Sequence, residues 1–346
     1  MGNGRKGERV EYKPPDIRRG HGIVRDLAGL KGAIAVITME QPWRLVRQSV
    51  AWSPSCVHFV TDMDLQTLER LDRELPPCDT VVGIGGGSCC DTAKFLAWKR
   101  KCRMILVPSI VSVDAPLTDA VGVRVNNVVK YVGKIFPQEL VVDYDLIQQA
   151  PPELNRAGAG DIASIHTALH DWRLAYDHNG EAFDAEVARR ARECLEELDA
   201  NADDVYNVTL RGIDTIIELY RREVEFCAHL GTSRPEEGAE HIVAYNMENL
   251  TRRHFIHGDL VGLGVFVIAR LQQNEPAWAE ELMRRVGLRF TCPEVSLPEI
   301  RTCLKTLKAF KDEAGLFYSI LDEAPVTSDF LDETMRQLEK IRDGDR

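Results

Sequence analysis

A chain of 346 residues is longer than one hydrophobic core usually fills, so two domains are the starting expectation. A hydrophobic fraction of 44% with 28% charged residues is that of a globular protein, and a net charge of −11 argues against a general nucleic-acid binder, which needs a basic face. No apolar run approaches the roughly 20 residues needed to cross a bilayer. The first residues are polar and lack a signal-type apolar segment, and Lys6 stands where a myristoylation motif has Ser or Thr. A cytoplasmic protein is therefore expected. Nine scattered cysteines without a CxxC pair fit reduced thiols better than disulfides or a cysteine zinc site.

In chain order, apolar runs at 33–38, 57–61, 80–85, 104–108 and 140–143 read as strands. Leucines 65, 68, 71 and 75 recur at helical spacing and predict a helix over 64–75. Strands alternating with helices indicate a parallel α/β sheet, because each crossover helix covers a sheet face. After Pro151 and Pro152 the texture changes. The stretches 181–200 and 299–316 are charged, with apolar residues three and four apart, which is the pattern of amphipathic helices. The reading is an α/β domain over 1–150 and a helical domain over 151–346, with the proline pair at the join. The charged tail 339–346 reads as a frayed helix end.

The third strand leads into Gly85-Gly86-Gly87-Ser88, with a helix start placed at Asp91. Glycines let a ligand approach the backbone, and the N–H groups of a following helix favour a phosphate. A purely structural tight turn is the other reading. The turn's place at the carboxyl end of a parallel strand favours ligand binding. The helical half carries three segments rich in metal-ligating types, around Asp161, Glu240-His241 and His254–His257. One carboxylate with two imidazoles suits zinc or ferrous iron with an open coordination position. Local pattern alone also allows Asp161 as a helix N-cap and His241 and His257 as core histidines. His166 and His170, four apart on one helical face, line either the site or the core.

Together these segments resemble the glycerol-1-phosphate dehydrogenase branch of the dehydroquinate synthase-like and iron-containing alcohol dehydrogenase superfamily. The residues that carry the resemblance are GIGGGS at 83–88, VPSIVSVDAPLT at 107–118, GAGDIASIHTALHDWRLA at 158–175, SRPEEGAEH at 233–241 and HGDLVG at 257–262. They stand in the family's order over most of the chain. The resemblance implies an α/β N-terminal Rossmann-like domain with a parallel sheet, a dinucleotide-binding unit. It also implies an all-α C-terminal domain, with the active site in the interdomain cleft. Asp161, His241 and His257 match the metal ligands, for zinc with iron as the alternative. Gly85, Gly86, Gly87 and Ser88 match the pyrophosphate loop, and Asp91 is assigned to the cofactor site with them. Ser109 and Ser112 fall on the nicotinamide side, and Asp114 matches an aspartate at the substrate. Lys134 falls near a lysine of the family pattern. Glu40, just after the first strand, is the candidate partner of an adenosine ribose, favouring NAD over NADP.

The implied function is NAD(P)- and metal-dependent hydride transfer that interconverts a small phosphorylated ketone and its alcohol. Dihydroxyacetone phosphate and sn-glycerol 1-phosphate match best, with Asp114, Asp161, His241 and His257 as the catalytic set. Arg234, Arg252 and Arg253 are candidates for a phosphate, or else surface charge. The expected partners are a small-molecule substrate and further copies in a homo-oligomer, with no nucleic acid and no membrane. Two departures bear on the substrate. Glu236-Glu237 stand where the family has a small residue before Gly238, and Asp114 is followed by the bulkier Ala115-Pro116-Leu117-Thr118. The alternatives are a dehydrogenase of another small alcohol, aldehyde or ketone, a sugar-phosphate cyclase of the same fold, and a paralogue without turnover. The aspartate of GAGD and the HTALHDW block favour the dehydrogenase over the cyclase, and the intact ligand positions argue against the paralogue.

Overall fold

Each of the five apolar runs forms a parallel strand in the computed structural model, which describes residues 12–125 and 128–344. The strands are β1 (Asp16–Gly20), β2 (Ile34–Thr38), β3 (Cys56–Phe59), β4 (Thr80–Gly85), β5 (Arg103–Pro108), β6 (Ala120–Val125), β7 (Val128–Lys134) and β8 (Glu139–Asp143). Six of them make one parallel sheet in the order β1-β8-β5-β4-β2-β3. β2 and β4 are buried along their whole length, as expected of central strands covered on both faces. β1 has no apolar run. Among the described residues it is an edge strand paired only with β8, and its Arg18 bonds Glu139 at 3.0 Å, a charged edge of the kind that discourages further pairing. β6 and β7 form a separate antiparallel hairpin.

The helices packed with this sheet are α1 (Glu40–Ser49), α2 (Leu65–Glu74), α3 (Gly87–Arg100) and α4 (Tyr144–Gln148), followed by α5 (Pro152–Arg156). Asp64 caps α2 by accepting from the Gln66 N–H, and Leu68 and Leu71 are the residues it buries. One compact unit comprises Lys13–Asn155 with Val208–Ile213. The chain goes from β2 outward to β3, then returns across β2 to β4. The direction of winding therefore reverses between β2 and β4, the place where open α/β sheets bind ligands at their carboxyl ends. The glycine turn follows β4 and Glu40 follows β2, so both flank that point.

The other unit comprises Arg156–Asn207 and Asp214–Arg346, with Tyr12 its first described residue. Its helices are α6 (Ala159–Asn179), α7 (Ala185–Ala200), α8 (Ala202–Tyr206), α9 (Leu210–Leu230, whose first residues belong to the sheet unit), α10 (Ala239–Thr251), α11 (His257–Gln272), α12 (Pro276–Arg285), α13 (Leu297–Ala314) and α14 (Ser328–Gly344). Caps set two of the starts. Asp184 accepts from the Glu186 and Val187 N–H groups, and Ser296 with Glu299 forms a capping box. α11 is apolar nearly all round and buried, the mark of a central helix. No helix among the described residues is long and apolar enough to cross a membrane. The myristoylation motif and Arg346 at the end of the charged tail lie outside the described residues.

Candidate metal centre and cofactor turn

Asp161, His241 and His257 each sit in the first turn of a different helix. Asp161 is the third residue of α6, His241 the third of α10 and His257 the first of α11. Gly158 occupies the cap position of α6, so Asp161 is not an N-cap. What brings the helices together is missing side chains. A Cβ on Gly258 would lie 1.8 Å from the Ala157 carbonyl oxygen, and one on Gly160 would lie 2.3 Å from the Gly258 oxygen. Only hydrogen at these positions lets the two backbones approach so closely. The result is a cluster in which His257 Nε2 is 3.3 Å and His241 Nε2 4.0 Å from Asp161 Oδ1, with one ligand atom from each residue within 4.8 Å of the others.

These residues fit a divalent metal on two observations. Donors bound to one zinc at its usual distance, near 2 Å, lie about 3.4 Å apart at the tetrahedral angle, close to the spacing of Asp161 and His257. Among the described residues Asp161 Oδ1 is also buried without a hydrogen-bond partner, a loss of about 1–3 kcal/mol unless another group takes its lone pair. The charges agree with a cation site. Burial pushes Asp161 above the usual carboxylate range; His257 and His241 oppose this, while Glu237 adds to it. Burial pulls His241 down, but the hydrogen bond that it donates to Glu240 and the charges of Glu237, Glu240 and Asp161 outweigh it and raise the imidazole to about 9.

A buried second layer holds His241. Its Nδ1 lies 2.9 Å from Glu240 Oε1, which also accepts from the Gly238 N–H, while Oε2 accepts from Thr167 Oγ1 of α6 at 2.6 Å. A carboxylate at Nδ1 keeps the proton on that nitrogen and turns the lone pair of Nε2 toward Asp161. Asp171, also on α6, accepts from the Ala239 and Ile320 N–H groups at 2.8 Å and from Gln272 at 2.9 Å. It thereby ties the start of α10 to α6, and burial with Glu240 nearby pushes it up to about 7. The sequence assigns neither acid a role. The only local hints were a glutamate next to His241 and an acid within a largely apolar helix.

In the glycine turn, α3 starts at Gly87, one turn earlier than the expected start at Asp91, with Gly86 in the cap position. Gly85 has φ 153°, and a Cβ there would lie 2.4 Å from Cys89 Sγ. The N–H groups of Gly87 and Ser88 at the start of this 14-residue helix suit a pyrophosphate, while those of Cys89 and Cys90 donate to the Gly86 oxygen. The Ser109 N–H donates to the Gly85 oxygen at 3.0 Å, linking the end of β5 to the turn. Ser112 is buried, and the neighbouring Val111 N–H donates to the buried Asn155, which sequence reasoning missed. The Asp114 carbonyl accepts from Leu117 and Thr118, making a turn that buries Ala115 and Leu117. Asp91 pairs at 2.7 Å with the fully buried Lys94, which also donates to the Ala120 oxygen and ties α3 to β6. Glu40 is exposed at the first position of α1, and Lys134 pairs with Asp119 at 3.4 Å.

Several other candidates have structural work. Arg234 is buried, pairs with Glu181, donates to the Asp171 and Tyr318 carbonyls, and lies over Phe317. Arg253 pairs with Glu299, and Arg252 caps the end of α10. His166 donates to the Asn274 oxygen at 2.8 Å and packs on Trp278, so it is a core histidine. His170 is half-buried, and burial lowers both imidazoles.

Residues 17–151 match the model of the family described as iron-containing alcohol dehydrogenase. A glycerol-1-phosphate dehydrogenase (NAD(P)+) of Staphylothermus marinus is 30% identical over 72% of this chain and 70% of that protein. The chain belongs to the iron-containing alcohol dehydrogenases, in their glycerol-1-phosphate dehydrogenase branch. A protein of the same name from Hyperthermus butylicus is 29% identical to this dehydrogenase, over 88% of this chain and 89% of its own. Among solved structures, a probable glycerol dehydrogenase from Sinorhizobium meliloti matches 96% of this chain and 98% of its own, with a TM-score of 0.69 and 21% identity. A maleylacetate reductase from Agrobacterium tumefaciens matches 96% and 98% with a TM-score of 0.64 and 14% identity, which shows the fold.

Proposed function

We propose that this dehydrogenase uses NAD(P) and a divalent metal held by Asp161, His241 and His257 to interconvert a small phosphorylated ketone and its alcohol. The best match is dihydroxyacetone phosphate with sn-glycerol 1-phosphate, the compound in the names of its relatives. The observation that carries the metal-dependent chemistry is the triad with its unpartnered buried carboxylate oxygen. A metal there supplies Lewis acidity toward the reacting oxygen, and the nicotinamide supplies the hydride. The protein's own residues do the rest. Glu240 holds His241 in the ligating tautomer, and Asp171 holds the helix that carries it. Gly85, Gly86, Gly87 and Ser88 carry the chain from β4 into the start of α3, whose first N–H groups are the donors for the cofactor phosphates, and Glu40, the first residue of α1 after β2, is the partner of a ribose hydroxyl. Ser109 and Ser112 act on the nicotinamide side. Asp91 acts through Lys94, steadying the helix behind the turn. Asp114 is the acid assigned to the substrate.

The test is chelator treatment of the purified protein, zinc restoration, and NADH and NADPH absorbance with dihydroxyacetone phosphate, with His241→Ala as control. Zinc-dependent oxidation that the variant loses is the expected result. Turnover of neither coenzyme by the zinc-restored protein, with zinc bound, overturns the substrate assignment.

A further inference from the structure

The turn between α9 and α10 carries a carboxylate that the metal chemistry does not use. Ser164, one turn along α6 from Asp161, donates from Oγ to the Glu236 carbonyl at 2.5 Å and pins this turn beside the ligand cluster. Glu237 is then held from two sides. Ser233 Oγ donates to its Oε2 at 2.6 Å and Tyr245 Oη to its Oε1 at 2.7 Å. Tyr245 stands one turn beyond His241, with ring centroids 6.0 Å apart. Unlike Glu240, which is wholly buried, Glu237 is only half-buried. Among the described residues each of its oxygens accepts one hydrogen bond, which leaves each a lone pair. Its charge acts on both Asp161 and His241. A fixed anion here accepts a hydrogen bond from a hydroxyl and repels a phosphate.

We propose that Glu237 is a specificity-determining residue that binds the free hydroxyl of the substrate and so sets which end of it lies beside the ligand triad. The hydroxymethyl end faces Glu237 and the phosphate end points away. This rests on the phosphorylated-ketone reading above. A hydrogen bond to a charged group that water can replace on a half-exposed side chain gives discrimination of roughly 10- to 100-fold, well below what a fully buried acceptor imposes.

The experiment compares zinc-restored wild type, Glu237→Ala and the near-isosteric Glu237→Gln. The substrates are dihydroxyacetone phosphate and acetonyl phosphate, which lacks only the hydroxyl. kcat and KM are measured separately, with zinc content and inhibition by inorganic phosphate as further readouts. Wild type is expected to favour the hydroxylated ketone by roughly 10- to 100-fold in kcat/KM. Glu237→Ala brings that ratio close to one with zinc content unchanged, and both variants are inhibited more strongly by phosphate. An unchanged ratio with both ketones still reduced overturns the role of Glu237 and leaves the functional reading standing. Loss of zinc from both variants also overturns it, because the residue then serves the metal. If wild type reduces neither ketone, the functional reading falls, and this proposal with it.

Discussion

Replacing Gly258 by alanine adds one methyl carbon where the Ala157 carbonyl oxygen lies 1.8 Å away. Ordinary contact begins at 3.4 Å, so α6 and α11 must part by about 1.6 Å, the difference between those distances. Neither side can yield by a rotamer change, because the obstacle is backbone. Overpacking of this kind costs about 1–3 kcal/mol in well-packed interiors. The functional loss exceeds the stability loss, since His257 begins α11 and Asp161 lies near the start of α6. Their donor atoms, now 3.3 Å apart, separate toward 5 Å, beyond the roughly 3.4 Å that one zinc spans between tetrahedral ligands. Zinc competition against a chromophoric chelator, paired with thermal melts of the metal-free protein, separates the two effects. Affinity is expected to fall at least a hundredfold, with a melting temperature lower by a few degrees. A Gly258→Ala protein that binds zinc as tightly as wild type would refute the argument that this glycine contact builds the centre.

Glu240→Gln removes the charge that orients His241, and zinc affinity is expected to drop about 10- to 100-fold when compared above pH 9, with an unchanged fold by circular dichroism. Equal affinities there would dispose of the orienting role. The pH dependence has a definite sign. His241 is held up to about 9, so in the metal-free protein it keeps its proton at neutrality, and that proton must leave before Nε2 can ligate. Zinc affinity should therefore rise by about tenfold per pH unit from pH 7 toward 9 and level off above it. In the metal-free protein the same proton contributes stability that is full below about 6.5 and is lost as pH rises through about 9. A zinc affinity flat across pH 7–9, measured with the chelator's own pH dependence subtracted, would exclude this coupling.

The strands and helices were legible because they depend on neighbouring residues. Apolar runs marked β2, β3, β4, β5 and β8, and leucine spacing marked α2. The hairpin of β6 and β7 had a readable signal too, the alternation of Val121, Val123 and Val125, although it was not read as strand. β1 had none, because its pairing with β8 lies some 120 residues away and its own composition is polar. α3 starts a turn before the position expected from sequence, because glycine is a poor helix former and only the backbone after β4 shows that the helix already begins there.

By itself, the sequence determined the parallel α/β half, the amphipathic helices and the supply of donor residues, since residue type and periodicity suffice for these. Which of the nine histidines lie beside Asp161 was another matter. Resemblance singled out His241 and His257; spacing could not, because Asp161 and His241 are eighty residues apart and no local period links them. Only tertiary packing decided that glycines bring α6 and α11 into backbone contact, that Glu240 and Asp171 support the imidazole, and that Arg234 is enclosed by Glu181, Phe317 and two carbonyls. These outcomes depend on which surfaces meet, and helices distant in the chain meet where a missing Cβ allows the closest approach.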